Sequence, residues 1–145
     1  MLEISKTDIV ARLQFDNPWW QQAAPAKVAF DDQPRRKYFH TFYNAIVDRS
    51  VKRAVVLMGP RRVGKTVMVY HAIRELIDHH ISPSSILYVS LETPIYTGLS
   101  LERIVHLFQE IFEHNRNDNL YVFFDEIQYL KDWDVNLKSL VDSYP

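Results

Sequence analysis

The sequence predicts an α/β fold, a parallel sheet between two helical layers, and three observations predict it. Short apolar runs recur at "AVVLM" (54–58), "ILYVSLE" (86–92) and "LYVFF" (120–124). A strand buried on both faces reads as such an unbroken run. Stretches with helical apolar spacing separate the runs, as right-handed βαβ crossovers require. Finally, the first fifty residues follow a different rhythm, so residues 1–50 are expected to form an N-terminal helical or extended arm and 51–145 the core.

Composition narrows the class. A chain of 145 residues fits one domain. With 47% hydrophobic and 24% charged residues it can bury a core and stay soluble. The net charge of −1 is no footprint for global nucleic-acid binding, so any such contact needs a local patch. There are no cysteines, which excludes disulfides and thiolate metal sites and is compatible with a cytoplasmic, reducing setting. The N-terminus "MLEISKTDIVARLQ" has early acids and no long apolar centre, unlike a signal peptide. No run approaches the length of a membrane span, so no membrane partner is expected.

Taken in order, "SKTDIVARLQ" (5–14) is a short helix, with Ser5 as N-cap and Asp8 near the positive end of its dipole. "FDNPWWQQAAP" (15–25) breaks it with Pro18 and Pro25. "RRKYFHTFYNAIVDRS" (35–50) is a second helix, with Phe39, Phe42, Tyr43, Ile46 and Val47 on one side. After the first strand, "GKTVMVYHAIRELIDHH" (64–80) places Val69, Ala72, Ile73 and Leu76 at helical spacing, and "ISPSS" ends it at Pro83. The second strand runs into a turn at "TPIYTG". "SLERIVHLFQEIFEHN" (100–115) is an amphipathic helix capped by Ser100, with Leu101, Ile104, Val105, Phe108, Ile111 and Phe112 facing the core. The third strand ends in Asp125 and Glu126, and "WDVNLKSLVDSY" (133–144) is a last helix.

The chemistry concentrates behind the first strand. Only three glycines occur in the chain, and Gly59 and Gly64 are two of them. Gly59-Pro60-Arg61-Arg62-Val63-Gly64-Lys65-Thr66 fits G-x-x-x-x-G-K-[ST], the phosphate-binding P-loop. The glycines let the backbone wrap inward so that successive N–H groups point at phosphate oxygens. The helix that follows, through Val67, aims its unpaired N–H groups and positive dipole end at the same anion. Lys65 reaches the β- and γ-phosphates and the Thr66 hydroxyl ligates Mg²⁺. The third strand delivers two acids at its carboxyl end, where ligands bind in open α/β sheets. Asp125 is the candidate to hold Mg²⁺, directly or through water. Glu126 is the candidate base for the attacking water.

At this point the chain resembles a known group. "GPRRVGKT", "ILYVSLE" and "LYVFFDEIQYLKDWDVNLKSLVDS" look like the bacterial and archaeal AAA+-type P-loop ATPases whose phosphate loop reads GPRRVGK[ST] and whose acidic strand ends D-E-I-Q. The resemblance spans about residues 35–145 and extends less specifically to "NPWW". It implies ATP and Mg²⁺ at Gly59–Thr66, Asp125 as the metal-side acid and Glu126 as catalytic base. A catalytic Glu directly after the metal-side Asp further resembles the additional-strand branch of P-loop ATPases. In that branch another strand lies between the phosphate-loop strand and the acidic strand. With three strong strands read here, the expectation is a core truncated at its C-terminus, with slow or absent turnover. Direct pairing of the two strands, as in the GTPase-kinase branch, is the other arrangement.

Weaker signals keep two readings each. Arg61 and Arg62 are extra charge near phosphate, a contact to a neighbouring subunit or nucleic acid, or two solvated side chains on an exposed turn. Arg35, Arg36 and Lys37 read as the solvated start of a helix rather than a nucleic-acid patch. Trp19 and Trp20 could stack on adenine or a partner, or anchor the arm on the core. His79 and His80 favour the negative pole of their helix. Gln128 orients water or starts a helix. The leading function is Mg²⁺-dependent ATP hydrolysis. The alternative is a nucleotide-gated interaction or signalling module with little turnover. A small-molecule kinase lacks a lid-like arginine cluster, and GTP preference lacks an N-K-x-D motif. ATP is the expected partner, and a homo-oligomer stays open.

Overall fold

The first helix starts where the sequence places its cap. Ser5 is extended, and its Oγ accepts from the Asp8 N–H at 3.2 Å, so α1 runs Lys6–Asp16. This computed structural model describes residues 5–21, 28, 39–47, 65–96, 98–114, 120–129, 132, 134–136 and 138. The side chains of Phe42, Ala45, Lys65 and Gln128 lie outside that set. The expected strand at 54–58 and the basic run at 35–37 fall outside it too. Of the second and last expected helices, Phe39–Val47 (α2) and the short stretch 134–136 are described as helical.

The third helix, α3, spans Lys65–Asp78, and Pro83–Ser85 forms a single 3₁₀ turn before the next strand. β1 is Ile86–Ser90, two residues shorter than the apolar run. The strand ends early because the Thr93 N–H closes a turn onto Ser90 O, just before Pro94. Leu91 still donates to Asp125 O at 2.9 Å, so the ladder outlasts the strand by one bond. α4 spans Leu101–Phe112, with Ser100 Oγ accepting from the Arg103 N–H at 3.1 Å. Glu113 ends it in the left-handed region, with His114 N–H reaching back to Gln109 O. Ser100→Ala is expected to cost about 1 kcal/mol, seen as a lower denaturant midpoint at unchanged slope.

β2 is Tyr121–Asp125 and runs parallel to β1, from Ile86 opposite Tyr121 to Ser90 opposite Asp125. Alternation sends the pair's side chains to two separate cores. Leu87, Val89, Val122 and Phe124 pack with Ile9 and Leu13 of α1 and with Ile104, Val105 and Phe108 of α4. Ile86, Tyr88, Tyr121 and Phe123 pack with Phe39 of α2 and with Val69, Ala72, Ile73 and Leu76 of α3. Helices therefore cover both faces of a small parallel sheet, an α/β arrangement. Among the described residues the sheet consists of β1 and β2, and the expected strand at 54–58 that the two topologies place differently is not among them. No helix among the described residues is long and apolar enough to cross a membrane.

The outer edge of β1 is sealed by the segment after α1. Asn17, wholly buried, accepts from the Tyr88 N–H at 2.7 Å and donates to Tyr88 O at 3.0 Å and Leu13 O at 2.7 Å. Its amide thus takes the place of a neighbouring strand. The indoles of Trp19 and Trp20 both donate to Ile86 O, at 3.1 and 2.7 Å. Trp20 also stacks on Phe108, with ring centroids 5.5 Å apart. The tryptophan pair anchors the arm on the core, the second of its two sequence readings. Tyr96, from the turn after β1, adds a further tie by donating to Asp16 Oδ2 at 2.8 Å.

Candidate functional site

The site forms where the carboxyl end of β2 meets the first turn of α3. Asp125 is the last residue of β2 and is 2% exposed. A carboxylate buried that far requires hydrogen-bond donors. Its Oδ1 accepts from the Glu126 N–H at 3.0 Å. Its Oδ2 accepts from Thr66 Oγ1 at 2.7 Å and from the Tyr88 hydroxyl at 2.8 Å. Thr66, the second residue of α3, reaches it across 59 residues of sequence.

Glu126 follows at a sharp corner. Its φ of 54° lies in the left-handed region, a conformation costing a residue with a side chain roughly 1 kcal/mol. It is 5% exposed, and its carbonyl accepts from the Tyr129 N–H at 3.1 Å as the chain turns into a 3₁₀ turn at Ile127–Tyr129. The corner breaks the alternation of β2, so Glu126 does not continue its pleat. A strained non-glycine residue at a strand end, held by its surroundings, is a feature of functional sites.

Tyr88 supplies the donor that sequence reading did not single out. Burial, and then the neighbouring Asp125 charge, push its hydroxyl far above the ordinary phenol range, so it stays protonated and donates. Tyr70 of α3 packs beside it, ring centroids 4.9 Å apart, and burial pushes its hydroxyl up to about 12. The one local signal for it is a tyrosine inside an apolar strand run, since a buried phenol hydroxyl needs a partner.

The structure therefore brings Thr66, Asp125 and Glu126 together, with Val67 next along the helix. Gly59, Pro60, Arg61, Arg62, Val63 and Gly64 lie outside the described residues, as does the Lys65 side chain, although α3 begins at Lys65. Gln128 sits in the 3₁₀ turn that follows. His79, at the far end of α3, pairs its Nδ1 with Glu75 O at 2.8 Å and takes no part. Among the described residues no group of three or more His, Cys, Asp or Glu could hold a metal ion. Of the residues expected at the metal, Thr66 and Asp125 offer one hydroxyl and one carboxylate. Such a sparse, hard-oxygen set suits Mg²⁺, which binds through one or two protein ligands, with waters and substrate phosphates as the rest.

A family model described as an AAA domain matches residues 51–145. An uncharacterized protein of Methanocaldococcus jannaschii is 31% identical to this chain over 101 residues, which cover 67% of this chain and 20% of the relative. The matched part of the chain thus corresponds to about one fifth of that relative's length. No solved structure matches.

Proposed function

The chain belongs to the AAA domain family, and we propose that it binds ATP with Mg²⁺ and hydrolyses it where α3 meets the end of β2. One observation carries the reading. The Thr66 hydroxyl and the Asp125 carboxylate, which sequence reading assigned separately to the metal, are in direct hydrogen-bond contact at 2.7 Å.

In this reading the Gly59–Thr66 loop wraps phosphate with its backbone N–H groups, and α3 directs its positive end at the same anion. Lys65 contacts the β- and γ-phosphates as a mobile charge. Thr66 and Asp125 would hold Mg²⁺, which would supply positive charge to offset that of the phosphates. Glu126 takes the proton of the attacking water. An acid directly after the metal-side acid in sequence, suited to activate water, favours hydrolysis over a purely nucleotide-gated binding module.

The test is an ATP titration with and without Mg²⁺. Wild-type chain is expected to bind ATP more tightly with Mg²⁺. Lys65→Ala is expected to weaken binding roughly ten- to a hundredfold, the loss of a charge-assisted contact. Equal affinity in the two proteins would sink the assignment.

A further inference from the structure

Resting on that reading, we infer that Tyr88 is a positioning residue for the metal-side acid, and that the N-terminal arm sets its position through Asn17. Asp125 Oδ2 receives two hydroxyls, and they differ in how firmly they are held. Thr66 Oγ1 belongs to a rotatable side chain on the first turn of α3, where a bound cation would draw on it. Tyr88 has no such freedom. Its N–H and its carbonyl are both bracketed by the one Asn17 amide, at 2.7 and 3.0 Å. Its ring is 6% exposed and lies against Tyr70.

The register explains the reach. Tyr88 lies opposite Phe123, and Ser90 lies opposite Asp125, so Tyr88 and Asp125 share a face of the sheet on a diagonal. A long side chain leaning along its strand spans that diagonal. The Tyr88 hydroxyl is thus the fixed donor to Asp125 Oδ2, and Thr66 is the exchangeable one. Partners that orient a ligating carboxylate in this way tune metal affinity without touching the metal.

The arm completes the chain of contacts. Asn17 lies 71 residues before Tyr88 and is joined to it through backbone on both sides of one residue. Trp19 and Trp20 hold the same strand at Ile86 O, and Trp19 packs edge-on against Tyr70, with centroids 6.0 Å apart. A displaced arm would release the Tyr88 backbone, and with it the hydroxyl that holds Asp125.

The experiment compares ATP affinity in EDTA and in saturating Mg²⁺ for the full chain and for Tyr88→Phe, which keeps the ring. The gain in affinity that Mg²⁺ confers is expected to shrink roughly tenfold, with ATP affinity in EDTA unchanged. Asn17→Ala, measured well below its melting temperature, is expected to shrink the same gain. Combined with Tyr88→Phe it should add little, because the two act through one contact. An undiminished Mg²⁺ gain in Tyr88→Phe overturns the inference. Equal losses in EDTA and in Mg²⁺ overturn it too, since they mark a loop or packing defect. Additive losses in the double variant remove the arm from it. If wild-type chain shows no Mg²⁺-dependent ATP binding, the function reading fails first and this inference falls with it.

Discussion

Glu126→Gln is expected to keep ATP bound while cutting phosphate release by roughly 10²–10⁴-fold, the usual contribution of a positioned general base. The substitution is nearly isosteric, so the corner after β2 can keep its shape. The backbone N–H of residue 126, which donates to Asp125 Oδ1 at 3.0 Å, is retained. The Thr66 and Tyr88 hydroxyls still meet Asp125 Oδ2. Binding and metal response therefore stay intact while the proton acceptor is lost. The measurement is phosphate release at saturating ATP and Mg²⁺, with affinity read in parallel by titration. Unaltered release would remove Glu126 from the role of base. A matching loss of affinity would show that the side chain supports the corner rather than the chemistry.

The second large effect is on stability. Asn17→Ala is expected to destabilise the fold by about 3 kcal/mol, because it strands the Tyr88 N–H and carbonyl on a buried strand edge at roughly 1–3 kcal/mol for each unsatisfied group. It also leaves Leu13 O, at the end of α1, without its side-chain partner. Denaturant unfolding should show a lower midpoint at unchanged slope, and the melting temperature should fall by roughly 2–4 °C per kcal/mol for a chain of this size. A loss well under 1 kcal/mol would mean that water or the indoles take over the strand edge. Asn17→Asp separates the contacts. It keeps an acceptor for the Tyr88 N–H but sets a carboxylate oxygen against Leu13 O and Tyr88 O, so it should be at least as harmful.

These two residues differ in how visible they are. Glu126 stands out in the sequence because it follows an apolar strand and Asp125, and acids at a strand's carboxyl end are candidates for the proposed chemistry. The helix caps Ser5 and Ser100 are legible for a similar reason, since each serves an N–H three residues away. The α3 and α4 core faces follow from helical periodicity, and the two described strands follow from unbroken apolar runs, signals that are also local. Asn17 gives only the sign of an Asn-Pro turn. Its partners lie on a strand 71 residues later, and no local rule selects which strand edge it will seal. Tyr88 announces that a hydroxyl needs a partner, but not that the partner is a carboxylate 37 residues on. The end of β1 was misjudged by two residues because hydrophobicity continues through Leu91, while the turn closed by Thr93 is set by hydrogen bonding.

By itself, the sequence determined the α/β class, the caps and the helical faces, and it set a candidate phosphate-loop motif ahead of an acidic strand end. All of these rest on interactions within a few residues or on a periodicity that burial imposes. Only the tertiary structure decided that Thr66 and Asp125 touch and that one tyrosine brings a second hydroxyl to that carboxylate. It also decided that an asparagine after α1 takes up the Tyr88 N–H and carbonyl at the edge of β1. Each of those is a polar contact between distant segments, formed because a buried donor or acceptor must find a partner wherever the packing of the sheet and its helices brings one within reach.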